Sequence, residues 1–381
     1  MRRVHFAAFA PHCPRCARAG VGRHPLRLAV VLAEQDGDVR AGVLHCPNPE
    51  CALEFPIIDG IPVIVPDPRS LLGERAVELL LRNDLDPVLE GLLGDATGPG
   101  SWFDVLRQTV STYGWDGWAD LDPAEPAAVA DAPLPGAARR CLARLQELAG
   151  PVLARRVLDL GCGAGRTSFD LAAGHPEALV LGIDLSFGVL RLAQGALGGR
   201  VRYPRRRIGL VYDDRSFAVA PPGAGRVDFW ACDAQALPFA PGAADLAVAL
   251  NLLDCVAEPR RLLAELAAAV RPGGQVLLAC PYDWSTRATP METWIGGHSQ
   301  RAAHHGAAEP FLHALLTAGA HPQSVTGLAL LAETLSWPWQ TRLHDRGSVL
   351  YRTHLLALAR QRSDACFGAL AESGHENKPV L

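Results

Sequence analysis

From about residue 138 onward, short apolar runs alternate with stretches whose apolar positions recur every three to four residues. The runs lie at 156–160, 179–183, 226–231, 244–250 and 275–280; the helix-period stretches include 186–197 and 258–270. Strand-sized runs separated by such segments predict repeated βα units, and hence a parallel sheet with helices on both faces. The pattern then changes. Two long extended segments, about 326–343 and 349–360, flank the turn-like Asp345-Arg346-Gly347. They predict an antiparallel hairpin at the sheet edge.

The first 137 residues follow another pattern. Leu26–Leu32 and Val39–Leu44 read as two strands joined by Asp36-Gly37, a hairpin turn signal, and Phe55–Val65 is a further extended segment broken by prolines and a turn. Leu71–Leu93 is amphipathic and helical in part, and an aromatic stretch follows (Trp102, Phe103, Tyr113, Trp115, Trp118). Residues 121–136, rich in Pro, Ala and Asp, read as a linker, and an insert at about 200–225 reads as a solvated loop. The expected units are a small β unit at 1–68, a helical segment and linker at 69–137, an α/β domain at 138–362 and a flexible tail at 363–381.

Composition narrows the classes. The 381 residues exceed one small core, and 49% apolar with 20% charged residues fits a soluble globular protein. A net charge of −4 gives no global attraction to nucleic acid. No apolar run reaches the roughly 18 residues of a membrane helix, so no membrane partner is expected. The apolar part of the N-terminus is short and runs into Pro11-His12-Cys13, so no signal peptide is expected either.

Of the ten cysteines, four fall in two pairs, Cys13-Pro-Arg-Cys16 and Cys46-Pro-Asn-Pro-Glu-Cys51. Two knuckles flanking a hairpin predict a zinc ribbon, with Cys13, Cys16, Cys46 and Cys51 as a closed tetrahedral thiolate set. The scattered remainder suits a reducing, cytoplasmic setting rather than a disulfide framework. A unit this small lacks a sufficient core, so the metal would supply folding energy. Residues 46–62, Cys46-Pro through Cys51 to Phe55-Pro-Ile-Ile-Asp-Gly-Ile-Pro62, resemble the small zinc-ribbon activator subunits of tRNA and protein methyltransferases. Similar ribbons are fused to some rRNA guanine methyltransferases.

The chemistry concentrates in Arg156-Val-Leu-Asp-Leu-Gly-Cys-Gly-Ala-Gly-Arg166. A strand ends in an acid and turns through alternating glycines into a helix, leaving backbone that a ligand can approach closely. No Gly-Lys-Ser/Thr follows, which excludes a phosphate P-loop, and the glycine spacing is not that of a dinucleotide fold. Asp159 before the loop would repel a pyrophosphate but suits a cationic ligand. Asp184 ends the next strand, where a carboxylate can accept both ribose hydroxyls. Asp233 ends the third and can accept from an adenine amino group.

This ordered series resembles class I S-adenosylmethionine-dependent methyltransferases over about 140–281, and the closing hairpin extends the likeness toward 360. The resemblance implies a Rossmann-like, seven-stranded, mostly parallel sheet. By it, Asp159, Gly161 and Gly163 hold the methionine end, Asp184 the ribose, and Asp233 and Ala234 the adenine, with Cys162 and Leu185 also at the cofactor. Asn251 would lie near the sulfonium. Asn251–Pro259 and Pro281–Gly297 resemble the methyltransferase domain of ovothiol-synthesising enzymes, which methylates an imidazole nitrogen. Asn251-Leu-Leu-Asp254 lacks the Asn/Asp-Pro-Pro-aromatic motif of adenine amino methylation. Asp283 and His298, on a segment also carrying Tyr282, Trp284 and Trp294, are acceptor-side candidates, with His298 as proton acceptor. Three readings stay open: a methyltransferase of a small-molecule or peptide-like acceptor, an RNA methyltransferase using the ribbon and Arg205–Arg207, and a catalytically silent binding protein.

Overall fold

The computed structural model describes residues 1–81, 84–127 and 132–361. The tail expected at 363–381 lies outside them, as do residues 128–131 of the linker. The chain opens with α1 (Arg3–Phe9), α2 (Pro14–Arg18) and a meander of β1 (Arg27–Gln35), β2 (Asp38–His45), β3 (Glu54–Ile58) and β4 (Ile61–Ile64). Four helices follow: α3 (Pro68–Leu80), α4 (Pro87–Thr97), α5 (Trp102–Trp118) and α6 (Ala137–Ala149). Then come β5 (Arg156–Leu160), α7 (Arg166–Gly174), β6 (Leu179–Asp184), α8 (Phe187–Leu197), β7 (Arg200–Ile208), β8 (Val211–Ala218) and β9 (Val227–Cys232). The last third holds β10 (Ala244–Leu250), α9 (Pro259–Ala269), β11 (Val270–Cys280), α10 (Ala308–Leu316), β12 (Leu328–His344) and β13 (Gly347–Arg360).

The strands run β1-β2-β3-β4-β9-β6-β5-β10-β11-β13-β12 across one sheet. Its middle, β9-β6-β5-β10-β11, is parallel, and β13 and β12 close it as the antiparallel hairpin expected at the edge. Parallel strands covered on both faces are apolar throughout, and every residue of β9 is buried. One core lies between the sheet and α9 and α10; the other lies under α5, α6, α7 and α8.

Two expectations need correction. The sheet has eleven strands among the described residues rather than seven. The extra four belong to the N-terminal meander, because β4 pairs in parallel with β9 (Val63 with Ala231, Ile64 with Cys232). All four β4 residues are buried, so what would be an exposed sheet edge is covered in cis. Asp228 on β9 fastens the same seam. It accepts the Arg2 backbone N–H at 2.8 Å and the Trp230 indole N–H at 2.8 Å, while Phe9 packs edge-on to Trp230.

The insert at 200–225 is not a solvated loop. Most of it is the hairpin β7–β8. Val201, Tyr203 and Arg205 alternate inward, with Tyr203 against Gly114 of α5. Three consecutive arginines in the sequence obscured that period of two.

Candidate functional site

The glycine loop leaves β5 at Leu160 and enters α7 at Arg166. Its three glycines all have positive φ: 69° at Gly161, 52° at Gly163 and 79° at Gly165. At Gly165 the need is packing, since a Cβ would stand 2.6 Å from the Phe229 ring and 2.7 Å from Ala193. At Gly163 it is a cradle, since a Cβ would project to 3.5 Å from the ring of Tyr113 on α5.

Asp184, at the end of β6, braces this loop. One oxygen accepts the Gly163 N–H at 3.0 Å and the other the Ser186 N–H at 2.8 Å. Glu78 of α3 reaches the same turn, accepting the Ser186 hydroxyl at 2.8 Å and the Gly188 N–H at 2.7 Å. Those bonds satisfy exposed donors at the start of α8. The Trp118 indole donates to the Ala164 carbonyl at 3.0 Å, and the Arg166 guanidinium lies over the Trp118 ring. The helical segment before the α/β domain thus forms one wall of the site.

Asp159 faces elsewhere. It is 2% exposed, and its Oδ2 accepts the Thr167 hydroxyl at 2.7 Å and the Ser168 hydroxyl at 2.6 Å. It therefore orders the first turn of α7. Burial pushes its carboxyl up to about 6, against the two hydroxyl bonds. The folded state then binds this proton more tightly than the unfolded chain. Stability from this group is complete below about pH 4 and is lost as pH rises through about 6. Asp159→Asn keeps an acceptor for both hydroxyls and carries no titrating proton. Denaturant unfolding from pH 4 to 7 should show the wild type losing stability relative to this variant; parallel curves would contradict the assignment.

Asp233 directly follows β9 and accepts the Gln235 backbone N–H at 2.9 Å. Ala234 and Cys162 are buried and Leu185 packs against the helical core. Asn251, after β10, has φ of 50° and donates its N–H to the Ala279 carbonyl at 2.8 Å. Its side-chain oxygen is buried and has no partner among the described residues. The next residue, Leu252, lies against Gly161, so the loop after β10 closes on the glycine loop.

Asp283 follows β11, as expected, at the rim beside Asp254. Asp254 Oδ2 accepts the Asp283 N–H at 2.7 Å, and Tyr351 donates its hydroxyl to Asp283 Oδ2 at 2.8 Å. Burial pushes the Asp254 carboxyl up, and the charge of Asp283 adds to that. The Tyr113 hydroxyl is also pushed up, by loss of hydration at its inner end first and then by Cys255, Asp184 and Asp254, although the residue as a whole is 49% exposed. Those groups lie near one another, in the cleft between the glycine loop and the loops after β10 and β11.

His298 is not brought to Asp283: it is exposed, and among the described residues no hydrogen bond or ion pair joins them. Trp294 stacks on Trp284 at 6.2 Å, and the Tyr282 hydroxyl meets His354 Nδ1 at 2.7 Å. The aromatic residues after β11 therefore pack together rather than lining the cleft with Asp283. Arg205 is buried in ion pairs with Glu125 at 2.9 Å and Asp345 at 2.8 Å. His304 and His305 are exposed.

Cys13, Cys16, Cys46 and Cys51 gather at one point, with every sulfur within 4.8 Å of the others. Cys13 lies 3.8 Å from Cys51 and Cys16 3.8 Å from Cys46, sulfur to sulfur. A tetrahedron with metal–sulfur bonds of about 2.3 Å has edges of about 3.8 Å. The His12 N–H, next to the first cysteine, donates to the Pro238 carbonyl at 2.9 Å. The cluster is thereby tied to the loop that follows Asp233.

Residues 158–278 match the family model for a methyltransferase domain. This stretch runs from β5 to β11 and contains the glycine loop and all three strand-end acids. Over 114 residues the chain is 36% identical to malonyl-[acyl-carrier protein] O-methyltransferase of Legionella pneumophila, covering 30% of this chain and 31% of that protein. Over 181 residues it is 30% identical to trans-aconitate 2-methyltransferase of Deinococcus radiodurans, covering 45% of this chain and 57% of the relative. The chain thus spans about a third to just over half the length of these relatives. A solved S-adenosylmethionine-dependent methyltransferase from Methanosarcina mazei is 20% identical, covering 57% of this chain and 97% of that one, with a TM-score of 0.34. Among the described residues no helix is long and apolar enough to cross a membrane.

The sequence singled out the acids and glycines of the methyltransferase domain but not Glu78, Tyr113 or Trp118. Trp118 and Glu78 stand 46 and 108 residues from their partners Ala164 and Ser186, so no local spacing connects them. The aromatic density of 102–118 was the single hint.

Proposed function

We propose that the protein is an S-adenosylmethionine-dependent methyltransferase acting on a small-molecule acceptor. The observation that carries this reading is the cradle over Gly163. Its N–H is aligned by Asp184, a Cβ there would fill the space toward Tyr113, and the buried Asn251 oxygen awaits a donor. These features fit the adenosyl donor. Gly161–Gly163 would take the methionine end, Asp184 the ribose hydroxyls, Asp233 and Ala234 the adenine, and the Asn251 oxygen the region of the sulfonium. The bound donor supplies an electrophilic methyl group. The chain has to align the acceptor in line with it and keep water out. Tyr113 screens the loop, and the negative charge of Asp184, Asp254 and Asp283 favours a cationic donor. Asp283, held by Tyr351, is the rim carboxylate nearest to a proton-accepting role.

The four cysteines fit zinc, which would be held by Cys13, Cys16, Cys46 and Cys51 as a structural centre. The RNA reading loses one of its three arginines, since Arg205 is spent on Glu125 and Asp345, while Arg207 stays exposed. The deciding experiment supplies methyl-labelled donor to separated metabolite, protein and RNA fractions, with histidine-derived imidazoles as the first pure acceptors. Label is expected in the metabolite fraction. Label confined to RNA would overturn the acceptor class, and no transfer despite donor binding would favour a silent binding protein.

A further inference from the structure

Away from the cleft, three side chains from three elements meet: His313 on α10, Glu333 on β12 and His354 on β13. Side chains alternate along β13, so His354 and Tyr351 point to opposite faces of the sheet. His313 Nε2 lies 2.7 Å and His354 Nε2 2.9 Å from the same oxygen of Glu333, and one ligand atom from each residue lies within 4.8 Å of the others. His354 is 1% exposed, whereas the His313 and Glu333 side chains are 39% and 27% exposed. The cluster is sealed on the sheet side and open to solvent on the helix side.

Two imidazoles and one carboxylate, with room for a further ligand, are the donor set of an open metal centre. In a tetrahedral centre with bonds of about 2.0–2.1 Å, ligand atoms stand about 3.3 Å apart. Each imidazole would therefore have to withdraw by only about half an ångström. The outer partner is in place as well. The Tyr282 hydroxyl sits 2.7 Å from His354 Nδ1, and metal-bound imidazoles use their second nitrogen in this way. A hydroxyl can donate to Nδ1 or accept from it. The ring can thus shift its proton to Nδ1 and free Nε2 for a metal without losing that partner. Tyr282 has φ of 57°, a conformation that costs about 1 kcal/mol or more outside glycine and needs its surroundings to hold it.

We propose that His313, Glu333 and His354 form a second metal site, distinct from the cysteine cluster, which takes a divalent transition metal such as zinc with water completing the shell. Bound metal joins α10 to the β12–β13 hairpin. Through Tyr282 it fixes the residue before Asp283, and so the start of the segment that presents Asp283 to Tyr351. The site stands independently of any assumption about methyl transfer.

The test is metal content of the full chain after saturation with zinc and removal of free metal, for wild type and His313→Ala. His313 is partly exposed on a helix, so this variant should fold; thermal unfolding checks that, and Glu333→Gln is the second variant. Wild type is expected to hold one equivalent more than either variant. With cobalt(II) replacing zinc, the equivalent that disappears should lack thiolate-to-metal charge transfer, whose band should persist in both variants. Equal metal content in wild type and folded variants overturns the proposal, as does loss of the thiolate band along with the missing equivalent.

Discussion

Asp184→Ala should weaken S-adenosylmethionine binding by about 100-fold or more, measured by calorimetry. Two hydrogen bonds from ribose hydroxyls to a carboxylate are worth roughly 1.5–3 kcal/mol each, and each 1.4 kcal/mol is about tenfold in affinity. The residue also aligns the Gly163 and Ser186 N–H groups, so the variant loosens the cradle as well as removing the ribose contact. Asp184→Asn removes the charge but keeps one acceptor oxygen, so it retains one of the two backbone bonds and sets its NH2 against the other N–H. It should fall between wild type and alanine. Binding by Asp184→Ala within threefold of wild type would sink the ribose assignment. No heat from the wild type at millimolar donor would sink the methyltransferase reading itself.

Cys46→Ser should unfold the N-terminal unit and cost the protein its donor affinity, although Cys46 lies far from the glycine loop in sequence. Structural zinc sites in isolated fingers have apparent binding free energies of ~10–16 kcal/mol, comparable with the whole stability of a typical domain at ~5–15 kcal/mol. Cys46 is fully buried in the core shared with Phe9, Trp230 and Phe239. The His12–Pro238 bond and the guanidinium of Arg23, which donates to the Phe239 carbonyl at 2.9 Å, carry the disturbance into the loop after Asp233. Metal analysis should show the loss of one zinc, with a large fall in thermal midpoint. If zinc content is unchanged, the ligand set is wrong. If zinc leaves while stability and donor affinity persist, the cysteines carry no structural load.

The parts legible in the sequence were those encoded by local pattern. Apolar runs ending in Asp159, Asp184 and Asp233 gave the parallel strands, and Asp36-Gly37 and Asp345-Gly347 gave two hairpins, because strand period and turn chemistry are short-range signals. The junction of β4 with β9 was not legible: Ile61–Ile64 carries no mark naming its neighbour. Nor was the fate of Asp159, since only the fold shows Thr167 and Ser168 reaching back to it. Arg205 was misjudged for the opposite reason, because a run of like charges looks solvated until Glu125 and Asp345 arrive from distant segments.

The pairing of β4 with β9 also bears on how the chain reaches this state. β4 leaves the ribosome long before β9 exists, and loop closure over such a separation is entropically costly and slow. Until then the edge of Ile61–Ile64 opposite β3 has no mate, which is the condition under which a nascent chain aggregates. Zinc capture by the cysteine pairs would let β1–β3 form early and hold β4 in register while the rest is synthesised. Supply of metal during translation, rather than at the finished protein, would then govern the yield of folded molecules.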